Sequence, residues 1–191
     1  MLKLEKIAIV GGLLAGKSSA CKIMHSQGSY VISADDIVHK IYLEDITLKE
    51  QIVKLLGNGV LTNNQLDRKK IAKTVFLNSF LLDELEKIVH PKVIEEIIST
   101  YEKIKDQNFK NFVVEMPLLF ELRQKFSKFF DKIVAIIADE KNCQKRESKK
   151  GIQYYSERKK RLLSQKEIAK KADVVIYNNE SLKDLETNLK I

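Results

Sequence analysis

The chain has 191 residues, 44% hydrophobic and 31% charged, with a net charge of +8, which suits one large globular domain, or one core carrying an inserted subdomain. No apolar run approaches the ~18 residues of a membrane span and the N-terminus lacks the apolar region of a signal peptide, so a cytoplasmic protein with no membrane partner is expected. Cys21 and Cys143 lie far apart and form no C-x-x-C, which argues against a disulfide framework or a zinc site and for packing thiols. The positive charge fits a polyanionic ligand, nucleic acid or nucleotide. The lysines are spread over predicted helices with no basic tail or arm, so most read as solvated helix faces.

The first predicted element is a buried parallel strand, Ile7 to Val10, which runs into Gly11-Gly12-Leu13-Leu14-Ala15-Gly16-Lys17-Ser18-Ser19. This matches G-x-x-x-x-G-K-[ST], the strand–loop–helix in which inward-turned backbone N–H groups wrap a phosphate. Gly11 and Gly16 are expected to take positive φ and let the backbone approach an anion, which the N-terminus of the next helix also favours. Lys17 then reaches the β- and γ-phosphates and Ser18 holds magnesium. A helix over Lys17 to Gln27 is closed by Gly28, and a second strand follows at Tyr30 to Ser33. Asp35 comes just after that strand, at the sheet edge expected to carry the phosphate loop. It reads equally as a general base and as a helix N-cap.

The interval to the third apolar run is long and reads almost wholly as helix, an insertion over 43–110. Within it Pro91 is expected to restart the helix and to push His90 toward an extended conformation, which makes His90 a structural residue first. The third strand, Phe112 to Glu115, ends on a carboxylate suited to a metal-bound phosphate. The fourth, Ile133 to Ala138, runs into Asp139-Glu140, a pattern that mechanical ATPases also show. A basic helical excursion over 141–171 holds Arg146, Lys150 and Arg161, each of which alone reads as part of a charged helix face. The fifth strand is Asp173 to Tyr177. The core is thus drawn from 1–42, 111–140 and 172–191.

Strands alternating with helices imply right-handed crossovers, an α/β fold with a five-stranded parallel sheet and helices on both faces, and a ligand beyond the carboxyl ends of the strands. N-K-x-D and D-x-x-G are both missing, which removes the GTPases. Phosphoryl transfer needs positioning and charge neutralisation, so a base near an acceptor hydroxyl and cations over the γ-phosphate are the parts to expect.

Nearly end to end, the chain resembles the dephospho-CoA kinase family: "GGLLAGKSS", "SAD", "LDRKKIAKTVF", "HPKV", "EMPLLFE", "RLLSQ" and "ADVVIYNNESL" occur in the family's order. The resemblance implies a P-loop kinase fold and ATP-dependent phosphorylation of the ribose 3′-hydroxyl of dephospho-CoA, the last step of coenzyme A synthesis. It makes Asp35 the general base, and Lys17 and Ser18 the ATP and Mg2+ contacts. Residues 141–161 become a lid that carries Arg146 over the phosphates together with Lys150 and Arg161, and a helix follows it to 171. Arg68, His90 and Pro91, together with Asp35, Glu115 and Leu118, become acceptor-binding residues, and Asn178 lies near the nucleotide base. A monomer or small homo-oligomer with no nucleic-acid partner is implied.

The chain departs from the family's usual Gly and Ser at Leu14 and Ala15, from Thr at Val10, from Asp at Ser33 and Glu115, and from Arg at Lys150. It also departs from the usual Asp and Gly at Tyr177 and Glu180. At Leu14 a side chain occupies a position that needs positive φ. The alternatives are a kinase of the same fold for another nucleoside or nucleotide and, from a different class, a nucleic-acid-binding or mechanical ATPase.

Overall fold

The computed structural model describes residues 3–76, 78–120, 126–150 (148–150 by backbone alone) and 163–190. Met1–Ser33 and Tyr101–Ile191 make one compact unit and Ala34–Thr100 a second.

The first unit contains β1 (Glu5–Gly11) and β2 (Tyr30–Ser33). Two strands of the second unit, β3 (Leu61–Thr62) and β4 (Gln65–Leu66), come next in the chain, and β5 (Asn111–Glu115), β6 (Lys132–Ile137) and β7 (Val174–Tyr177) return to the first. The five long strands form a sheet in the order β2-β5-β1-β6-β7, every neighbouring pair parallel. Parallel strands covered on both faces must be apolar on both. The central strand obeys this: Ile7, Ala8, Ile9 and Val10 are all buried. The expected strands agree with those observed to within a residue or two at each end.

Helix α1 (Lys17–Ser26) buries Ala20, Cys21 and Met24, a stripe at helical spacing, into a core shared with Ile7, Ile9, Val113, Val134, Ile136 and Ile176. Its chain turns back through Gln27 and Gly28, the latter at φ 95°. Leu185 and Leu189, in and just after the C-terminal helix Leu182–Asn188, complete that core. Cys21 and Cys143 are both buried in it, and burial pushes the Cys21 thiol up to about 12, as suits packing residues.

The second unit holds α2 (Ala34–Glu44), α3 (Ile46–Leu56), the β3–β4 hairpin, α4 (Arg68–Phe76) and most of α5 (Ser79–Ile104). Asp45 and Asp67 cap α3 and α4, their carboxylates accepting from Leu48 N (2.8 Å) and from Lys69 N (2.9 Å) and Lys70 N (3.2 Å). Among the described residues no helix is long and apolar enough to cross a membrane.

The interval is almost wholly helical, as expected, but not helical throughout: β3 and β4 pair antiparallel across Asn63-Asn64, both at positive φ (49° and 59°), the backbone of a type I′ hairpin turn. Two-residue strands are too short to leave an alternating pattern. Nor does Pro91 restart a helix. α5 runs unbroken through His90 and Pro91. An interior proline costs about 3 kcal/mol. Leu85, Val89, Val93 and Ile97 lie on both sides of it in one buried stripe, each gaining roughly 1.5–3 kcal/mol by burial, and that sum keeps the helix continuous.

Candidate nucleotide-binding site

β1 leaves the sheet at Gly11 and α1 starts at Lys17, so the loop between them stands at the carboxyl end of the central strand. Gly11 (φ 149°) and Gly16 (φ 103°) take the expected positive φ. Each is also crowded: a Cβ at Gly11 would strike the Ile136 carbonyl oxygen, and one at Gly16 the Asn178 amide. Gly16 precedes α1 without a side-chain cap, which leaves the helix's first N–H groups turned toward the loop.

Leu14 sits at φ 63°. An L side chain in this left-handed region costs roughly 1–2 kcal/mol. Two contacts oppose that cost: Leu14 packs against the sheet core, and its carbonyl accepts from Arg146 Nη1 at 2.9 Å.

Lys17 is buried, and its Nζ donates to the carbonyls of Gly11 (3.1 Å) and Gly12 (2.9 Å), so the ammonium closes the loop on itself. Ser18 Oγ donates to Glu115 Oε1 at 2.9 Å. Glu115 is the last residue of β5 and lies opposite Ile9 in the ladder with β1, which places its carboxylate beside the start of α1. Its negative charge is a secondary reason for the raised Cys21 thiol. Ala15 is buried, Ser19 half-buried, and Leu118 half-buried in the turn after β5.

Two distant segments close over the loop. From α6 (Glu140–Lys150), Arg146 donates through Nη1 to Leu14 O (2.9 Å) and Ala15 O (3.1 Å), and through Nη2 to Asn178 O (2.9 Å). Asn178, just past β7, donates from Nδ2 to Ala15 O at 2.8 Å, while its backbone N–H extends the ladder to Ile137 O at 2.7 Å. Arg146 and Asn178, read in the sequence as separate contacts to phosphate and base, therefore meet on one stretch of loop backbone. The guanidinium fork suits this task because it presents several donors in a plane.

Lys150 is the last residue of α6, and Arg161 lies outside the described residues. One residue at the loop was not anticipated. Gln165, the first residue of α7 (Gln165–Lys171), holds Ala138 at the end of β6 by two hydrogen bonds. Its signal was the final letter of "RLLSQ".

The remaining residues belong to the helical unit. Asp35 is the second residue of α2 and exposed, so it stands inside the first turn rather than at the N-cap, where a carboxylate still complements the helix dipole. Arg68 opens α4 and is exposed. Its charge acts on the buried Tyr42 hydroxyl, which burial nonetheless raises to about 12. His90 is half-buried in α5, and burial lowers its imidazole to about 4, so it is neutral near pH 7. Pro91 beside it is exposed.

A family model described as Dephospho-CoA kinase matches residues 6–184. The chain is 42% identical to the dephospho-CoA kinase of Protochlamydia amoebophila, over 100% of this chain and 95% of that one, and 38% identical to that of Chlamydia pneumoniae, over 97% and 93%. Among solved structures it is similar to TT1252 from Thermus thermophilus (TM-score 0.81, 25% identity, 98% and 95% of the two chains). It is also similar to dephospho-CoA kinase from Campylobacter jejuni (TM-score 0.71, 28% identity, 96% and 92%). Shikimate kinase from Aquifex aeolicus, at 14% identity and TM-score 0.52, shares the fold. With a loop of this geometry at the end of the central strand and a family match over almost its whole length, the chain belongs to the dephospho-CoA kinase family.

Proposed function

We propose that this chain transfers the γ-phosphoryl group of ATP to the ribose 3′-hydroxyl of dephospho-CoA, the closing step of coenzyme A synthesis. The observation that carries the reading is the loop Gly11–Ser19, with Lys17 buried beneath it and Ser18 paired to Glu115, in a chain of this family. Catalysis of phosphoryl transfer is mostly positioning and charge neutralisation, and the residues divide along those lines. Gly11 to Ser19 and Asn178 take ATP, with the Lys17 ammonium set against charge on the β- and γ-phosphates. Asp35 accepts the proton of the acceptor hydroxyl. Arg68, His90 and Pro91 of the helical unit, with Glu115 and Leu118 of the sheet unit, hold dephospho-CoA. Arg146, Lys150 and Arg161 supply cationic charge from the region 141–171.

The Ser18 hydroxyl and the Glu115 carboxylate are hard oxygen donors 2.9 Å apart, a pair that fits Mg2+ with the rest of its shell from water and phosphate. Bound there, the ion would neutralise phosphate charge. The protein acts in the cytoplasm as a monomer or small homo-oligomer, with small-molecule substrates and no nucleic acid.

The test is a coupled assay of ATP with dephospho-CoA against a panel of nucleosides and nucleotides. Turnover with dephospho-CoA exceeding every other acceptor is expected. A nucleoside that outperforms it would reassign the acceptor, and ATP hydrolysis stimulated by DNA or RNA and suppressed by salt would reassign the class.

A further inference from the structure

"RLLSQ" ends on a glutamine for which phosphoryl transfer has no obvious use. We infer that Gln165 is a positioning residue for the phosphate loop: its side-chain amide takes the place β1 vacates beside β6, and its Cγ and amide carbon form the wall against which Gly12 lies. The inference rests on the reading of Gly11–Ser19 as the ATP site.

The ladder between β1 and β6 ends at Gly11 opposite Ile136. Along a strand, successive residues turn their N–H and C=O to opposite neighbours. Ile137 faces β7, since its carbonyl accepts from Asn178 N. Ala138 therefore faces the line along which β1 would continue, had the chain not turned away into the phosphate loop. Gln165 fills that line. Its Nε2 donates to Ala138 O at 2.7 Å and its Oε1 accepts from Ala138 N at 2.8 Å. A primary amide carries both a donor and an acceptor and so can reproduce the edge of a strand. Ala138 is buried, and without this partner its N–H would lose its bond and its carbonyl would keep only the weak Cys143 Sγ–H donor at 3.7 Å.

The same side chain stands over Gly12. A Cβ built at Gly12 would lie 2.8 Å from Gln165 Cγ and 3.0 Å from its amide carbon. Gly12 is not among the positive-φ glycines, so its need for glycine is one of space. The Gly12 carbonyl accepts from Lys17 Nζ and from Ala15 N (3.2 Å), so a shift of Gly12 moves both the ammonium and the turn of the loop. Gln165 is itself held at the start of α7 by a capping box, Ser164 with Glu167, and by buried Ile168 below. The line of support runs from α7 through Gln165 to Gly12 and on to Lys17.

The experiment compares Gln165→Ala, Gln165→Glu, Gly12→Ala and the double variant Gly12→Ala/Gln165→Ala. It reads ATP Kd by calorimetry, KM for each substrate, kcat and Tm. Gln165→Ala is expected to raise Kd and KM for ATP by about 10-fold while KM for dephospho-CoA stays within about 2-fold. Gln165→Glu keeps length but sets an oxygen against Ala138 O, so it should lose at least as much ATP affinity. Gly12→Ala should lose ATP affinity and regain part of it in the double variant, because removing Gln165 clears the space.

Additive losses in the double variant would overturn the inference, as would equal effects on both substrates accompanied by a fall in Tm, the mark of a merely structural side chain. If Gln165→Ala does not fold, Gln165→Met, which keeps the bulk and lacks the amide, is expected to show the same rise in ATP Kd, and an unchanged Kd there counts against the inference. Lys17→Ala separates the layers. Normal turnover in Lys17→Ala would overturn both readings, whereas loss in Lys17→Ala beside unchanged Gln165 variants would overturn this one alone.

Discussion

The phosphate loop and the helical unit are assigned the two halves of one reaction, and they are built by different means. Around the loop, polar side chains are committed to protein partners: Lys17 to two loop carbonyls, Ser18 to Glu115, Arg146 to three carbonyls and Asn178 to a fourth bond. In the helical unit Asp35 and Arg68 are exposed at the starts of their helices, and His90 is half-buried in the middle of α5. A cradle for a highly charged group depends on the aim of many backbone dipoles, so it is braced from several segments. The helical unit, which is the proposed acceptor side, takes the positions of its helices from apolar stripes such as Leu85, Val89, Val93 and Ile97. Substitutions at the loop should therefore disturb structure and ATP binding together, whereas those at the acceptor residues should leave the fold and ATP affinity alone.

The most severe test is Lys17→Ala. Loss of the ammonium removes both its charge on the transferred group and its two bonds to the loop, and turnover is expected to fall by at least about 10²-fold with weakened ATP binding. A variant retaining more than a tenth of the wild-type rate would show that the loop does not act through Lys17.

Asp35→Asn should lower phosphoryl transfer by about 10² to 10⁴-fold, the range of general acid–base catalysis, with ATP Kd and Tm near wild type. Asparagine conserves shape, and Asp35 lies inside the first turn of α2 rather than at its cap. The side chain's structural share is therefore limited to its charge at the helix N-terminus. Near-normal turnover would move the base elsewhere, with Glu115 the next carboxylate to replace.

Arg146→Lys sharpens the contrast within the loop. The charge survives but the fork does not, leaving the carbonyls of Leu14 and Asn178 short of a donor and that of Ala15 with Asn178 Nδ2 alone. A loss of about 1–3 kcal/mol in stability and a several-fold rise in KM for ATP are expected. Unchanged stability and KM for ATP would mean that Arg146 serves by charge alone.

The smallest effect belongs to the helical unit. Burial lowers His90 from 6.5 to about 4, so the unfolded chain takes up a proton before the folded one does. The stability tied to this group is complete above about pH 6.5 and declines as pH falls toward 4. His90→Gln should flatten that part of the urea-midpoint profile between pH 4 and 6.5. An NMR titration of His90 near 6.5 would show that α5 leaves the ring in water.

Local pattern was enough for the sheet and for the loop. A short apolar run such as Ile7 to Val10, bounded by a glycine turn, suits a strand buried on both faces, and glycines at 11 and 16 with Lys17 and Ser18 leave few other backbones possible. Those signals act over a few residues, where the chain's own sterics decide. The hairpin at Asn63-Asn64 and the passage of α5 through Pro91 were not legible. In the first the strands are too short to show a period, and in the second a local penalty is outweighed by burial that only the packed unit supplies.

The bracing of the loop was hidden in the same way. Arg146 stands 132 residues from Leu14, Ser18 stands 97 from Glu115, and Gln165 stands 27 from Ala138. The sequence by itself determined that a phosphate loop would form at the end of a central parallel strand, because glycine conformation and apolar periodicity are properties of neighbouring residues. Only the tertiary structure decided which side chains hold that loop. Hydrogen bonds and steric contacts are set by distances in space, and the crossover connections of a parallel sheet bring together residues that the chain keeps far apart.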